Sequence, residues 1–260
     1  MGKFDGYLIC SDLDGTFRDG EKSLKLNSEA VKYFTDNGGR FTFATGRMID
    51  HLRECGFDKI MNSPAALCNG SIIYDAENDT VIREERLGYT VADFVRAAKP
   101  KLHLSGTLYV HSDFPEGYTR SFTFGGASQA PDELLAVNPL KIVCAFSTAD
   151  EADEFKEFSQ SCESFRDTCV TKSWNTGVEF NSTDATKGKG IEFIKAYLGN
   201  IHTAIGVGDY ENDLSLVTSA DIGVAVGNAV EELKSAADMI IKPACEGAIK
   251  DLIEKIESTI

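Results

Sequence analysis

Basic residues are in deficit in this 260-residue chain: 26 lysines and arginines face 41 aspartates and glutamates, for a formal charge of −15. Phosphate backbones are bound by clustered cations, so this balance argues against a nucleic-acid-binding protein. It also means that a phosphorylated ligand must be drawn in locally, by a metal and a few basic groups, against an unfavourable overall field. CxxC pairs are missing. The seven cysteines (Cys10, Cys55, Cys68, Cys144, Cys162, Cys169 and Cys245) are odd in number, the pattern of reduced, mostly packing thiols of the cytosol. No apolar run approaches the roughly 18–20 residues of a membrane span. The amino terminus reaches its first acidic pair too soon for a signal peptide. Repeats and low-complexity tracts are absent as well. A cytoplasmic protein with no membrane or nucleic-acid partner is expected. Its 42% hydrophobic and 26% charged residues suit a globular chain of one large domain or two small ones.

What is present starts at residues 7–16, Tyr-Leu-Ile-Cys-Ser-Asp-Leu-Asp-Gly-Thr. Residues 7–10 read as a short buried strand of a parallel sheet. Asp12 and Asp14 follow with one residue between them, and Gly15 lets the chain turn sharply. Two carboxylates this close repel, and one tends to hold a proton unless a cation lies between them. In open α/β sheets, ligands collect beyond the carboxyl ends of the strands. The pair therefore points to a hard divalent ion such as Mg2+. An acidic turn that caps a helix is the plainer alternative.

Helical spacing of Ala30, Val31 and Phe34 predicts a helix over residues 28–37, with Asn27 or Ser28 as cap and Gly38-Gly39 as stop. A strand over 40–44, a short helix over 48–55 and a strand over 65–68 follow, and Asn69-Gly70 turns the chain into a strand over 71–74. This is half of a doubly wound sheet. The middle of the chain reads as a helix over 90–99, a strand over 140–146, an acidic amphipathic helix over 148–161, and strands over 169–174 and 177–181. The stretch 102–138, rich in Gly, Ser, Thr and aromatics, yields no assignment. Antiparallel strands with helices on one face suit this region, so residues 84–184 are expected to be an inserted α+β domain. Alternation returns with helices over 190–198, 212–218, 229–236 and 247–256, and strands over 203–207, 222–226 and 239–241. The expected fold is α/β: a doubly wound, mainly parallel sheet core of residues 1–83 and 185–260, split by the insertion.

Three further groups fall where strands of this sheet should end. Thr45-Gly46-Arg47 opens a helix, so its N–H groups and hydroxyl could hold an anion, although Thr45 also serves as a plain helix cap. Lys187, in Thr186-Lys187-Gly188-Lys189-Gly190, lies in a first helical turn, where a cation opposes the helix dipole. That hints at another task, with a solvated loop lysine as the alternative and Lys189 competing for the role. In Gly208-Asp209-Tyr210-Glu211-Asn212-Asp213, the glycine releases Asp209 at the strand end, and Asp213 returns one turn later on the same side. Two acids and an amide there make a metal-site pattern, or an acid-rich helix start that the dipole favours.

The order and spacing of these groups resemble the haloacid dehalogenase-like (HAD) hydrolase superfamily, and in particular its Cof-type sugar-phosphatase branch, whose cap is inserted between the second and third motifs. The resemblance rests on residues 12–16, 44–47, 69–70, 186–188, 208–213 and Gly-Val-Ala-Val-Gly-Asn-Ala at 223–229. In the cap it covers only position, length and Val178-Glu179-Phe180. It implies a Rossmann-like HAD core and a Mg2+-dependent phosphatase acting on a small phosphorylated metabolite, a sugar phosphate by the branch. Asp12 is then the nucleophile and forms an aspartyl phosphate. Asp14 is the general acid for the leaving alcohol, then the base for water. The resemblance puts Mg2+ on the Asp12 carboxylate, the Asp14 backbone carbonyl and Asp209, with Asp213 acting through water or from behind the ligands. Thr45 and Lys187 hold the phosphoryl oxygens, helped by Asn212 and the Gly46 amide. Arg47 is either a substrate contact or a brace for the acids.

The branch usually carries an acidic pair near its carboxyl terminus, where this chain has Cys245-Glu246-Gly247. Phe114, Tyr118, Phe122, Phe124 and Trp174 suit a pocket wall and a cap core equally, and receive no role. His103 and His111 are too isolated to be ligands. Two other functions remain open: a phosphomutase, which returns the phosphoryl group to a sugar, and a non-enzymatic phosphate or Mg2+ sensor. Asp14 argues against the sensor, because an acid/base beside the acyl phosphate promotes its turnover.

Overall fold

The computed structural model describes residues 2–101, 106–114, 117–124 and 131–260, so His103 lies outside the described residues. The elements in chain order are β1 (Tyr7–Ser11), α1 (Glu21–Asp36), β2 (Arg40–Phe43), α2 (Ile49–Glu54), β3 (Ala65–Leu67), β4 (Ile72–Asp75) and β5 (Thr80–Glu84). Then come α3 (Val91–Ala98), β6 (Gly106–Phe114), β7 (Gly117–Phe124), α4 (Asp132–Leu135), β8 (Lys141–Phe146), α5 (Ala149–Ser161), β9 (Thr168–Trp174) and β10 (Gly177–Ser182). The chain closes with α6 (Lys187–Leu198), β11 (Thr203–Gly208), α7 (Leu214–Ser219), β12 (Ile222–Ala225), α8 (Glu231–Ala236), β13 (Met239–Ile240) and α9 (Ala248–Glu257). Two compact units result: Met1–Arg83 with Thr186–Ile260, and Glu84–Ala185. No helix among the described residues is long and apolar enough to cross a membrane.

The first unit is built on a five-stranded parallel sheet of order β13-β12-β11-β1-β2. Parallel neighbours need crossovers, which α1, α7 and α8 supply. Leu8, Ile9 and Cys10 of β1 are fully buried, because the central strand of such a sheet is covered on both faces. The register sets Ser11 opposite both Val207 and Phe43, so β1, β2 and β11 end level with one another. Phe17, just beyond the acidic pair, packs its ring 5.0 Å from Phe43 and 5.6 Å from Phe41, tying the Asp loop to the core. Each such aromatic pair adds about 0.5–1.5 kcal/mol beyond simple burial.

The structure corrects the expected elements in four places. β3 is not a member of the parallel sheet. It pairs antiparallel with β4 in a separate sheet of order β3-β4-β5, and a single bridge, Ala44–Ala66, reaches it from the end of β2. The reason is the turn itself: Cys68, Asn69 and Gly70 all adopt positive φ and fold β4 straight back on β3. β5, a polar edge strand, was not expected at all. Helix α1 begins at Glu21, and Asn27 is buried within it instead of capping it. Its amide donates to Phe17 O at 2.7 Å and its Oδ1 accepts from Lys250 N at 3.1 Å. Helix α6 starts at Lys187, three residues early, with Thr186 as its cap.

The inserted unit is an antiparallel sheet of order β7-β6-β8-β10-β9. Helices α3 and α5 start in capping boxes, Thr90 with Asp93 and Thr148 with Glu151. Phe94 of α3 and Phe155 of α5 share one core with Val178 and Phe180 of β10. The hairpin β6–β7 fills much of the stretch that carried no assignment. Phe114 and Phe122 pack against that core, whereas Trp174 is exposed. On the sheet, Lys141 and Glu179 form a buried ion pair at 3.2 Å. Burial, reinforced by Lys141 and opposed by Glu179, pushes His111 down to about 3.

That shift has a pH signature. The unfolded chain takes up a proton at His111 near 6.5 while the folded chain refuses it until about 3. Stability from this group is therefore complete above pH 6.5 and is lost as pH falls below it. We expect His111→Gln to be less acid-sensitive than wild type between pH 7 and 4.5. Urea denaturation at both pH values measures it, and parallel curves would contradict the assignment.

Candidate active site

The level ends of β1, β2 and β11 bring three loops together. Asp12 leaves β1 with its N–H donating to Val207 O at 2.8 Å, and the Ala44 N–H donates to Ser11 O at 2.9 Å. Asp12 is buried, and its Oδ1 accepts from Lys187 Nζ at 2.6 Å. The Lys187 side chain is completely buried, and Nζ also donates to Asp213 Oδ1 at 2.5 Å. Lys189 is a different case: two positions on, it turns to the other side of α6, half-exposed and 3.5 Å from Glu192. Helix geometry thus brings Lys187, and not Lys189, to the acid cluster.

Asp213 links two parts of the site. While Oδ1 meets Lys187, Oδ2 accepts from the Asp209 N–H at 2.9 Å and the Tyr210 N–H at 3.1 Å. Gly208 makes this possible, because a Cβ there would stand 2.3 Å from Asp213 Cβ. Asp209 Oδ1 accepts from Thr16 Oγ1 at 2.8 Å. Gly15 lies under the other oxygen with φ of 84°, and any Cβ would come within 2.6 Å of it. One carboxylate oxygen each of Asp12, Asp209 and Asp213 thus lies within 4.8 Å of the other two.

The remaining residues line this cluster or brace it. Thr45 is buried, its Oγ1 accepts from Arg47 N–H at 3.2 Å, and its carbonyl accepts from Asn69 N–H at 2.9 Å. Asn212 Nδ2 reaches Asn69 Oδ1 at 3.5 Å. The Asp14 carboxylate is not part of the acid cluster. It is half-exposed and paired with Arg18 and with Arg47 Nε, the latter at 2.9 Å. Thr16 and Arg18 were not singled out from the sequence. Asn228, inside the matched 223–229 segment, had no role there: its Nδ2 donates to Gly15 O at 2.9 Å and its Oδ1 accepts from Ala244 N–H at 2.7 Å. It fastens the Asp loop to the far end of the sheet.

Negative charge is in excess in the cluster: three carboxylates surround one ammonium. Burial, with repulsion from Asp213 and Asp209, raises Asp12 well above the ordinary carboxylate range despite Lys187. Burial and Asp213 raise Asp209 to about 7. Burial works against the charge of Lys187, yet Asp12 and Asp213 outweigh it and hold the amine protonated beyond its usual range. Asp14 goes the other way: burial raises it, but Arg47 and Arg18 prevail and keep it below the usual value. Converging hard oxygens with an excess of negative charge fit a divalent cation, which would relieve the repulsion that raises Asp12 and Asp209.

Residues 9–253 match the family model described as haloacid dehalogenase-like hydrolase. Pyridoxal phosphate phosphatase YbhA of Escherichia coli is 24% identical over 251 residues, covering 90% of this chain and 92% of that protein. The 5-amino-6-(5-phospho-D-ribitylamino)uracil phosphatase YcsE of Bacillus subtilis is 25% identical, covering 96% and 95%. Among solved structures, the HAD subclass IIB sugar phosphatase BT4131 aligns with a TM-score of 0.74 at 19% identity, over 96% of this chain and 98% of that one. A haloacid dehalogenase-like hydrolase from Bacteroides thetaiotaomicron gives 0.71 at 21% identity, over 97% and 99%. These two likenesses concern the fold. By the match over residues 9–253, the chain belongs to the haloacid dehalogenase-like hydrolase family.

Proposed function

We propose that this HAD-family phosphatase hydrolyses small phosphate monoesters of the sugar-phosphate class, with Mg2+, through a phosphoryl group carried on Asp12. Residues 84–184 are the cap domain of the family type, and 1–83 with 185–260 the catalytic core. The observation that carries the reading is the buried Asp12–Lys187–Asp213 chain with Asp209 beside it. Phosphoryl transfer needs alignment and charge neutralisation, and this arrangement suits both. The curated relatives, named for pyridoxal phosphate and for a phosphoribitylaminouracil, agree with a small phosphorylated substrate.

An oxygen of Asp12 attacks phosphorus, the bond to the alcohol oxygen breaks, and Asp14, which must first take up a proton from solvent against the pull of Arg47 and Arg18, gives that proton to the alcohol oxygen. Asp14 then takes a proton from water as the water attacks phosphorus, which releases inorganic phosphate and restores Asp12. Lys187 and Thr45 hold phosphoryl oxygens, with Asn212 and the Gly46 N–H assisting. The Asp12 and Asp209 carboxylates and the Asp14 backbone carbonyl, with Asp213 behind them, would hold Mg2+, which would supply positive charge to the phosphoryl group. Arg47 braces Asp14, to whose carboxylate it is paired.

Incubation with a panel of sugar phosphates, nucleotides and small phospho-acids tests the reading. We expect free phosphate in Mg2+, its loss on chelation and its return on adding Mg2+ back. An isomerised sugar phosphate without free phosphate would point to a phosphomutase, and an aspartyl phosphate that persists for minutes to a sensor.

A further inference from the structure

We infer that Arg18 is a positioning residue that fixes the orientation of the Asp14 carboxylate for proton transfer; the inference rests on the phosphatase reading above. Residues 13–18 form a closed turn, in which Arg18 N–H donates to Leu13 O at 2.8 Å and Gly15 N–H donates to Arg18 O at 3.0 Å. The turn sets Asp14 and Arg18 side by side as bridge partners. From there Nη2 of Arg18 meets Asp14 Oδ1, while Arg47 Nε lies 2.9 Å from Oδ2. Each oxygen therefore has its own cation, one from the Asp loop and one from the segment after β2.

The terminal torsion of an aspartate is broad and roughly two-fold, so a carboxylate with one partner keeps much of its freedom. Donors on both oxygens remove it. Arg18 is itself anchored, since its guanidinium carbon lies 5.4 Å from the centroid of the Phe57 ring. Phe57 in turn packs on Phe43 at 5.9 Å and on Phe17 at 6.4 Å. The orientation of Asp14 is thereby carried down to the aromatic core beneath β1 and β2. A contribution to stability is a poor explanation for the pair: the side chains are 30% and 39% exposed, and ion pairs this open add little to folding. Proton transfer is another matter, because a donor displaced by about 1 Å can cost up to about 100-fold in rate.

The test uses the dependence on the leaving group. An alkyl phosphate departs as a strongly basic alkoxide and needs the proton of Asp14, whereas a nitrophenyl phosphate departs as a weakly basic phenolate and hardly needs it. The parameter kcat/KM covers steps up to release of the alcohol, so hydrolysis of the phosphoryl-enzyme does not enter. We expect Arg18→Leu to lower kcat/KM about tenfold for the alkyl ester and less than about twofold for the aryl ester, a loss smaller than the roughly 10²–10⁴-fold that the acid group itself contributes. Arg18→Lys, which keeps the charge without the fork, recovers part of the loss. In an Asp14→Asn background, Arg18→Leu adds nothing. Equal losses on both esters, or an undiminished loss in the Asp14→Asn background, would overturn the inference. Thermal melting of both variants reports folding separately. A wild-type protein that releases phosphate from neither ester would sink the phosphatase reading, a result distinct from either outcome for Arg18.

Discussion

Asp12→Asn is expected to remove phosphate release to the detection limit, a loss of about 10⁴-fold or more, because the proposed mechanism carries the phosphoryl group on the Asp12 carboxylate as an acyl phosphate. The fold should persist. Native Asp12 is held well above the ordinary carboxylate range, so its charged form is already disfavoured by burial and by Asp213 and Asp209. A neutral amide of the same shape relieves that repulsion, while Lys187 keeps Asp213 at 2.5 Å. In the presence of a chelator the variant should therefore melt no lower than wild type. Release of phosphate from a nitrophenyl ester is the measurement. Retained hydrolysis in Mg2+ would rule out Asp12 as nucleophile, and thermal melting shows whether a lost activity is instead a lost fold.

Much of this site was legible because its residues occupy positions with few alternatives. Asp12 follows a strand that had to be buried on both faces, and Asp209 follows another, so the two acids fall at neighbouring strand ends once the sheet is parallel. Lys187 stood out because a cation in a first helical turn opposes the dipole, and the structure places it there, fully buried between two carboxylates. Arg18 gave no such sign. Its pairing with Asp14 depends on how the 13–18 turn closes, which is set by backbone hydrogen bonds and not by a residue pattern. Asn228 was hidden for a similar reason, since its two partners lie 213 and 16 residues away. In the fold, the apolar run of β3 reads the same whether its neighbours run parallel or antiparallel, and only the three positive-φ residues after it decide the matter. The hairpin β6–β7 escaped assignment because its polar and aromatic residues alternate without a clean apolar face; His111 and Thr119, directly opposite each other, are an example.

Lys187→Met should damage both activity and stability, and the pH dependence separates the two effects from ordinary core disruption. Methionine roughly conserves volume but removes the cation between Asp12 and Asp213. Breaking a buried pair by removing one partner typically costs about 3–5 kcal/mol, and that loss should be visible by urea denaturation with a chelator present. The sign with pH follows from the acids left behind. The folded-state pKa values of Asp12 and Asp209, already raised, rise further without Lys187. The folded protein then binds more protons than the unfolded chain through mildly acidic and neutral pH, so stability falls as pH rises. The variant should lie closest to wild type near pH 5 and furthest from it near pH 8. A divalent cation should restore part of the stability at pH 8, because it replaces the missing charge among the three carboxylates. Activity should not return with it, since the proposed mechanism assigns the phosphoryl oxygens to Lys187. A deficit in stability that is flat between pH 5 and 8 would mean that Lys187 fills space there and that the charge balance among Asp12, Asp209 and Asp213 is settled some other way.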